Sequence, residues 1–263
     1  MKALAKEKVE SFPAVPAYPS VARFEFFRKG DRPSGVWIVR QGPLRFALPF
    51  TTGTKPGVAD YLPAPHGLSG FSVPVEQIVP AGASHYELAD GRVLIATDSA
   101  DSIEPASDGR SVRATWRRFV VKGGKVGEWV EPGFEVSTTW RINGATLSRS
   151  ETIIAKSDVT LRRMTWILTS TANKSEASSK DGAARMTLTG REGTLGVQTS
   201  GDLVLPVSIQ DVSPETPLGR GARGAIPIYV TFEAQNVQLQ AGRPRTWNIA
   251  LTVSSTQQAK AGK

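Results

Sequence analysis

Three residues whose side chains can take part in acid–base chemistry lie close together in one irregular segment. Asp60, Tyr61 and His66 occur within Gln41–Glu76, a stretch rich in glycine and proline that also contains aromatic residues. Irregular stretches of this length are usually functional or disordered, and the apolar content of this one predicts packing against the fold. Tyrosine and histidine can transfer protons near neutral pH once their pKa values are tuned. The segment predicts Tyr61 and His66 as catalytic residues; the alternatives are a core position for Tyr61 and an exposed turn at His66.

Arginine and tryptophan residues indicate how an anionic substrate could be held. Arg40 and Arg45 are predicted on adjacent strands, where they could bind a carboxylate bidentately. Arg117 lies in Ser111–Val121, one of three short strands that combine arginine with tryptophan. That combination suits a flat-faced anion such as an acidic sugar chain, and Trp129 is the tryptophan best placed for stacking. The alternative for these arginines is a solvated charged face.

Metal and nucleotide chemistry are not favoured by the sequence. The chain has no cysteine and two histidines, His66 and His85. Together with Asp60 the histidines could bind zinc, but a zinc site needs three or four ligands in a fixed geometry, which no spacing here provides. The sequence has no phosphate-binding loop, dinucleotide fingerprint or nucleophile elbow. We therefore predict no metal and no cofactor.

Composition and charge limit the classes of partner. The chain has 263 residues, of which 40% are hydrophobic and 21% charged, as in ordinary globular proteins. A formal net charge of +8 favours acidic polysaccharide, with nucleic acid only weakly supported. No apolar stretch approaches the ~20 residues of a membrane helix, so no membrane partner is predicted. The first ten residues lack the apolar centre of a signal peptide, so a periplasmic or secreted location is expected only for a longer exported protein.

Period-two alternation predicts that β-strands position these residues. The alternation is clear from Val136 to Ile142, and turn dipeptides such as Asp108-Gly109 separate the alternating runs. Asn143-Gly144 predicts a tight hairpin, whereas the small polar stretch Thr171–Ala184 predicts a mobile loop. The fold class is therefore all-β: one large antiparallel β-sandwich of two layered sheets over residues 21–256. A helical and proline-rich linker is predicted at 1–20 and a polar tail at 257–263.

Several of these stretches resemble the C-terminal β-sandwich half of heparinase II/III-like proteins. They are Phe26–Phe50, Asp60–Glu76, an Asp-Gly-Arg turn and Trp140–Ile153. That family comprises polysaccharide lyases and relatives with an N-terminal (α/α) toroid and a C-terminal super-sandwich. The resemblance implies binding of uronate-containing polysaccharide, with His66 as the histidine that the sandwich contributes and Tyr61 beside it. Because the chain has no toroid, it also implies a module that is catalytically incomplete alone and has a toroid-domain partner or forms a homo-oligomer.

Three functional hypotheses follow. The first is a β-sandwich module of a polysaccharide lyase-like protein that binds acidic polysaccharide. The second is a carbohydrate-binding or structural sandwich without catalytic ancestry. The third is a basic scaffold protein, whose binding to any polyanion should weaken steeply with salt and show no glycan preference.

Overall fold

The computed structural model describes most of the chain as a set of antiparallel β-sheets. The described residues are 19–42, 44–50, 84–96, 100–122, 124, 129–170, 172, 174–180, 183–190, 193–211 and 228–255. Asp60, Tyr61 and His66 lie outside these residues, as do residues 1–18 of the predicted linker and the predicted tail at 257–263. All regular secondary structure in the described part is β-structure, which confirms the predicted fold class. The described part contains no helix, and therefore none that is long and apolar enough to cross a membrane.

The largest described sheet has eight strands, which pair with their neighbours in antiparallel orientation. In spatial order its strands are β13 (Lys174–Lys180), β14 (Ala183–Gly190), β15 (Gly193–Gly201), β18 (Arg245–Ser255), β11 (Thr146–Ala155), β10 (Phe134–Asn143), β7 (Ser111–Trp116) and β6 (Ser102–Pro105). Alternation decides its two faces: along β10 the side chains of Phe134, Val136, Thr138 and Trp140 are buried, whereas the residues between them are partly exposed. One face therefore contributes to the core and the other forms a surface.

A second described sheet has seven strands and packs its apolar face against the first. In spatial order its strands are β16 (Val207–Asp211), β17 (Ile228–Leu239), β12 (Val159–Ser170), β4 (Ser84–Leu88), β5 (Val93–Ile95), β8 (Phe119–Val121) and β9 (Trp129–Val130). Trp166 from this sheet contacts Trp247 from the other, with ring centroids 5.5 Å apart, and Tyr86 contacts Phe134 at 5.6 Å. These aromatic contacts join the two inner faces in one hydrophobic core, as expected of a sandwich.

A third, three-stranded sheet adds to the two layers that the sequence predicted. Its strands are β1 (Val21–Arg28), β2 (Ser34–Gln41) and β3 (Leu44–Phe50). The indole Nε1 of the buried Trp37 donates a hydrogen bond of 2.7 Å to the carbonyl oxygen of Gly109, in the turn between β6 and β7. This bond fixes the small sheet to one end of the eight-stranded sheet.

Three local predictions need correction. The predicted strand Ser111–Val121 is divided into β7 and β8, which belong to different sheets, and Arg117 lies between them. The stretch Thr171–Ala184 was predicted to be a loop, but β13 occupies Lys174–Lys180 and pairs in full register with β14. Backbone hydrogen bonds to a neighbouring strand can hold a polar segment in a sheet even when its side chains show no apolar alternation. The composition of this segment therefore did not reveal the strand. The hairpin at Asn143 is confirmed, but Asn143 is the last paired residue of β10 and the two-residue loop is Gly144-Ala145. Gly144 has a φ of 55°, a conformation that glycine adopts without steric cost.

Candidate functional site

The outer face of the eight-stranded sheet carries a shallow groove lined mainly by hydroxyl groups. Ser137 and Thr139 of β10 lie directly opposite Thr152 and Ser150 of β11. The depression has a volume of about 220 Å³. Its full lining is Arg113, Glu135, Ser137, Thr139, Ser150, Thr152 and Ile154. These side chains line the groove because strand alternation turns every second residue of these strands away from the core.

The hydroxyl-rich character continues across the centre of this face. The outward positions of the two central strands, β11 and β18, carry no charged residue; they are Thr146, Ser148, Ser150, Thr152, Ile154, Thr246, Asn248, Ala250, Thr252 and Ser254. Surfaces that serve only solubility usually carry mixed charges at about a quarter to a third of their positions. This face instead presents hydrogen-bond donors and acceptors in a regular array.

Two arginines lie on the border of the groove. Arg113 donates from Nε to the Ser137 hydroxyl at 2.8 Å, and it forms no ion pair with a carboxylate in the described part of the chain. Arg117 donates from Nε to Glu135 at 2.6 Å, and this hydrogen bond raises the pKa of the Arg117 guanidinium above its ordinary value. Arg113 is therefore positioned by Ser137; its cross-strand neighbour on β6 is Glu104, with which it forms no ion pair.

Charged and aromatic side chains continue this border toward the seven-stranded sheet. Asp101 accepts from the backbone N–H of Arg117 at 2.6 Å and from Nε of Arg118 at 2.6 Å. Arg118 also pairs with Asp31 at 3.4 Å, and the neighbouring Arg32 stacks over the ring of Trp129 at 4.1 Å from the ring centroid. The loop between β1 and β2 is thereby fixed to the sandwich.

The structure separates the residues that the sequence predicted for binding. Arg40 and Arg45 face each other in the register of β2 and β3, which confirms that they lie on adjacent strands. Those strands belong to the three-stranded sheet, whereas Arg117 lies beside the groove of the eight-stranded sheet. Trp129 is half-buried in β9, with Arg32 over its ring. Arg113 was not singled out as a site residue, although its place in an alternating arginine-rich strand was the available signal.

A second polar cluster lies inside the sandwich, and the sequence interpretation missed it. Arg149 and Glu151 of β11 form a salt bridge with side-chain exposures of 2% and 0%. The Ser84 hydroxyl, from the facing sheet, donates to Glu151 at 2.7 Å and accepts from Arg149 Nη2 at 2.9 Å. The signal was present: between Leu147 and Ile153, alternation places both charged residues on the inward face.

Tyr86, beside this cluster, gives a prediction about alkaline stability. Burial raises the pKa of the Tyr86 phenol well above its ordinary value of 10.0, and the negative charge of Glu151 adds to the increase. Above pH 10 the unfolded chain therefore loses a proton that the folded chain keeps, so the free energy of unfolding decreases as pH rises. The stabilising contribution of Tyr86 is fully present below pH 10. Above pH 10 the free energy of unfolding decreases by up to about 1.4 kcal/mol per pH unit.

Tyr86→Phe should remove this contribution and flatten the alkaline part of the stability profile. Urea titrations of both proteins from about pH 9 to about pH 11 measure the difference in slope directly. Parallel profiles for the two proteins would show that Tyr86 titrates normally in the folded state.

Comparisons with known proteins do not assign the chain to a family. No protein-family model matches it, and no curated protein matches it. Among solved structures, a candidate aldose 1-epimerase from Escherichia coli K12 is 10% identical with a TM-score of 0.47, covering 84% of this chain and 99% of that one. A galactose mutarotase related enzyme from Lactobacillus acidophilus is 11% identical with a TM-score of 0.37, covering 65% and 78%. A heparan sulfate lyase mutant from Pedobacter heparinus is 12% identical with a TM-score of 0.41 over 91% of this chain, and the chain spans 37% of that lyase.

Proposed function

We propose that this chain binds uronate-containing acidic polysaccharide along the groove on the outer face of the eight-stranded sheet. The observation that supports this most strongly is Arg113, a guanidinium that borders the groove, donates to Ser137 and forms no ion pair among the described residues, although Glu104 lies opposite it on β6. A sugar carboxylate would accept hydrogen bonds from its terminal nitrogens. Charge-assisted hydrogen bonds of this kind are shorter and stronger than those between neutral groups.

The lining of the groove supports a sugar chain over a generic polyanion. Thr139, Ser150 and Thr152 can each donate and accept a hydrogen bond, which matches the hydroxyl groups of a sugar ring. The uncharged rows of β11 and β18 extend this surface beyond the groove, so a polymer could lie across several strands. A surface that bound polyanions through charge alone would not need this array.

Replacing Arg113 tests the proposal. Arg113→Ala should weaken binding of alginate, polygalacturonate or heparin oligosaccharides about tenfold at physiological salt, equivalent to about 1.4 kcal/mol, because one charge-assisted contact is lost. Isothermal titration calorimetry measures the change, with dextran as the uncharged polysaccharide. Arg92→Ala is the matched control, because it also removes one arginine but from the turn between β4 and β5, where Arg92 pairs with Asp90.

The comparison between these two variants separates the hypotheses. Selective loss in Arg113→Ala, with Arg92→Ala close to the unchanged protein, supports the groove. Equal losses in both variants, with steep weakening by salt and no preference among glycans, would instead support the scaffold hypothesis.

A finer proposal is that this sandwich is the binding module of a polysaccharide lyase-like protein. The resemblance in the sequence motivates it, and the predicted proton-transfer residues Tyr61 and His66 lie outside the described residues. Ultraviolet absorbance from unsaturated uronate measures β-elimination during incubation with each acidic glycan. Absorbance that increases with the unchanged protein and stops with His66→Ala would assign catalysis to this chain. Binding without any increase in absorbance would leave it as a binding module.

A further inference from the structure

Polar side chains from both sheets converge around the buried Arg149–Glu151 pair. In the register of the eight-stranded sheet, Glu151 lies between Thr138 and Trp247, and Arg149 lies one row away. Side chains that are opposite or diagonal on one face of a sheet are about 5–8 Å apart. From the facing sheet, Ser84 bonds to both members of the pair, and its cross-strand neighbour Trp166 contacts Trp247.

Several polar atoms in this region are buried without a hydrogen-bond partner in the described protein. Four are N–H donors, one is a carboxylate acceptor and two are hydroxyl groups: Arg149 Nε, Arg149 Nη1, Trp166 Nε1, Trp247 Nε1, Glu151 Oε1, Thr138 Oγ1 and Tyr86 Oη. Buried polar side-chain atoms in native proteins are nearly always paired, either with protein or with ordered water. Because these atoms belong to residues at neighbouring sheet positions, one group of bound molecules could pair with several of them.

We propose that the sandwich interior binds a small cluster of water molecules between Arg149, Glu151 and the indole N–H groups of Trp166 and Trp247. The ion pair is balanced in charge, so the region has no net charge that would select an ion. The guest must accept from several donors and donate to Glu151 Oε1, and water does both. Buried water commonly makes about three such bonds and is retained as part of the structure.

This proposal is independent of glycan binding, because the cluster lies on the inner face of β11 and the groove lies on its outer face. The water cluster would change the energetic cost of burying the Arg149–Glu151 pair. The Arg149 guanidinium already lies 5.4 Å from the ring centroids of Trp140 and Trp247. Water would add the hydrogen-bond partners that Arg149 Nε, Arg149 Nη1 and Glu151 Oε1 lack among the described residues, and so reduce the desolvation penalty of a charged pair in the core.

Two measurements on the full chain test the proposal. Water-to-indole cross-relaxation by nuclear magnetic resonance should show long-lived water beside the Nε1 protons of Trp166 and Trp247. The internal control is Trp37, whose buried Nε1 donates to the Gly109 carbonyl at 2.7 Å and should show no such signal. Thr138→Val removes a hydroxyl proton that could imitate the water signal, and the cross-peaks should persist in that variant. Water-oxygen relaxation dispersion should then count the long-lived molecules independently of protein hydroxyl groups.

Each result supports or overturns the water cluster. Signals at Trp166 and Trp247, together with a dispersion amplitude that falls in the double variant Arg149→Met/Glu151→Leu, support it. Indole signals that match Trp37, or a dispersion unchanged by the double variant, would show that this region holds no long-lived water. Cross-peaks from carbon-bound protons of a co-purifying molecule would also overturn it, since the guest would then be organic.

Discussion

Replacing Glu151 with leucine is expected to lower the free energy of unfolding by about 3–5 kcal/mol. The substitution leaves the Arg149 guanidinium buried without its counter-charge and removes the acceptor of the Ser84 hydroxyl. Since single domains are stable by only about 5–15 kcal/mol, this change should shift the urea midpoint far toward lower concentrations. Urea denaturation followed by tryptophan fluorescence measures the effect.

Two further variants show whether the effect comes from the unpaired charge. Arg149→Met/Glu151→Leu replaces both charges with apolar side chains and should recover a large part of the lost stability, because no buried charge remains. Glu25→Leu is the surface control: Glu25 pairs with Arg23 at 3.0 Å, both side chains are at least half exposed, and its removal should cost less than about 1 kcal/mol. A Glu151 variant no less stable than the Glu25 variant would refute the structural role of the pair.

Gly109→Ala is expected to detach the three-stranded sheet and to cost about 3 kcal/mol. Gly109 has a φ of 69°, which disfavours alanine, and an added Cβ would collide with the carbonyl oxygen of Ala22 in β1. Relieving that collision moves β1 away from the turn and breaks the hydrogen bond from Trp37 to the Gly109 carbonyl. Urea denaturation reports the loss of stability, and the indole proton shift of Trp37 reports the broken bond.

The matched control separates backbone strain from the collision. Gly144 also has a positive φ, 55°, but apart from its chain neighbours no atom of the described residues lies within 4 Å of the position that a Cβ would take. Gly144→Ala should therefore cost only about 1 kcal/mol, from the unfavourable φ alone. Equal losses for the two variants would mean that contact with Ala22 does not hold the small sheet in place.

Local sequence signals predicted strands and turns correctly where a few neighbouring residues are enough to determine the backbone conformation. Alternation from Val136 to Ile142 predicted β10 and its buried face, because successive side chains of a strand point to opposite sides. Asp108-Gly109 predicted a turn with a positive φ, as observed. The same reasoning failed at Lys174–Lys180, because a strand held by backbone hydrogen bonds to β14 needs no apolar pattern of its own.

The candidate site could be predicted only in part, because strand register brings together residues that are distant in sequence. Arg117 was predicted on a strand Ser111–Val121, but it lies between β7 and β8, which belong to different sheets, and its partner Glu135 comes from β10. Trp129 was chosen for stacking, yet its partner Arg32 comes from the loop between β1 and β2, which is distant in sequence.

The sequence by itself determined the β-sandwich class, the inward and outward faces of its strands and the positive charge, since these depend on periodicity and composition. Tertiary structure alone decided that Ser84 meets Arg149 and Glu151 across the interior, and that Arg113 borders a hydroxyl-lined groove. The physical reason is that pairing register and sheet packing are collective properties of the whole core. No single segment specifies which distant strand it will face.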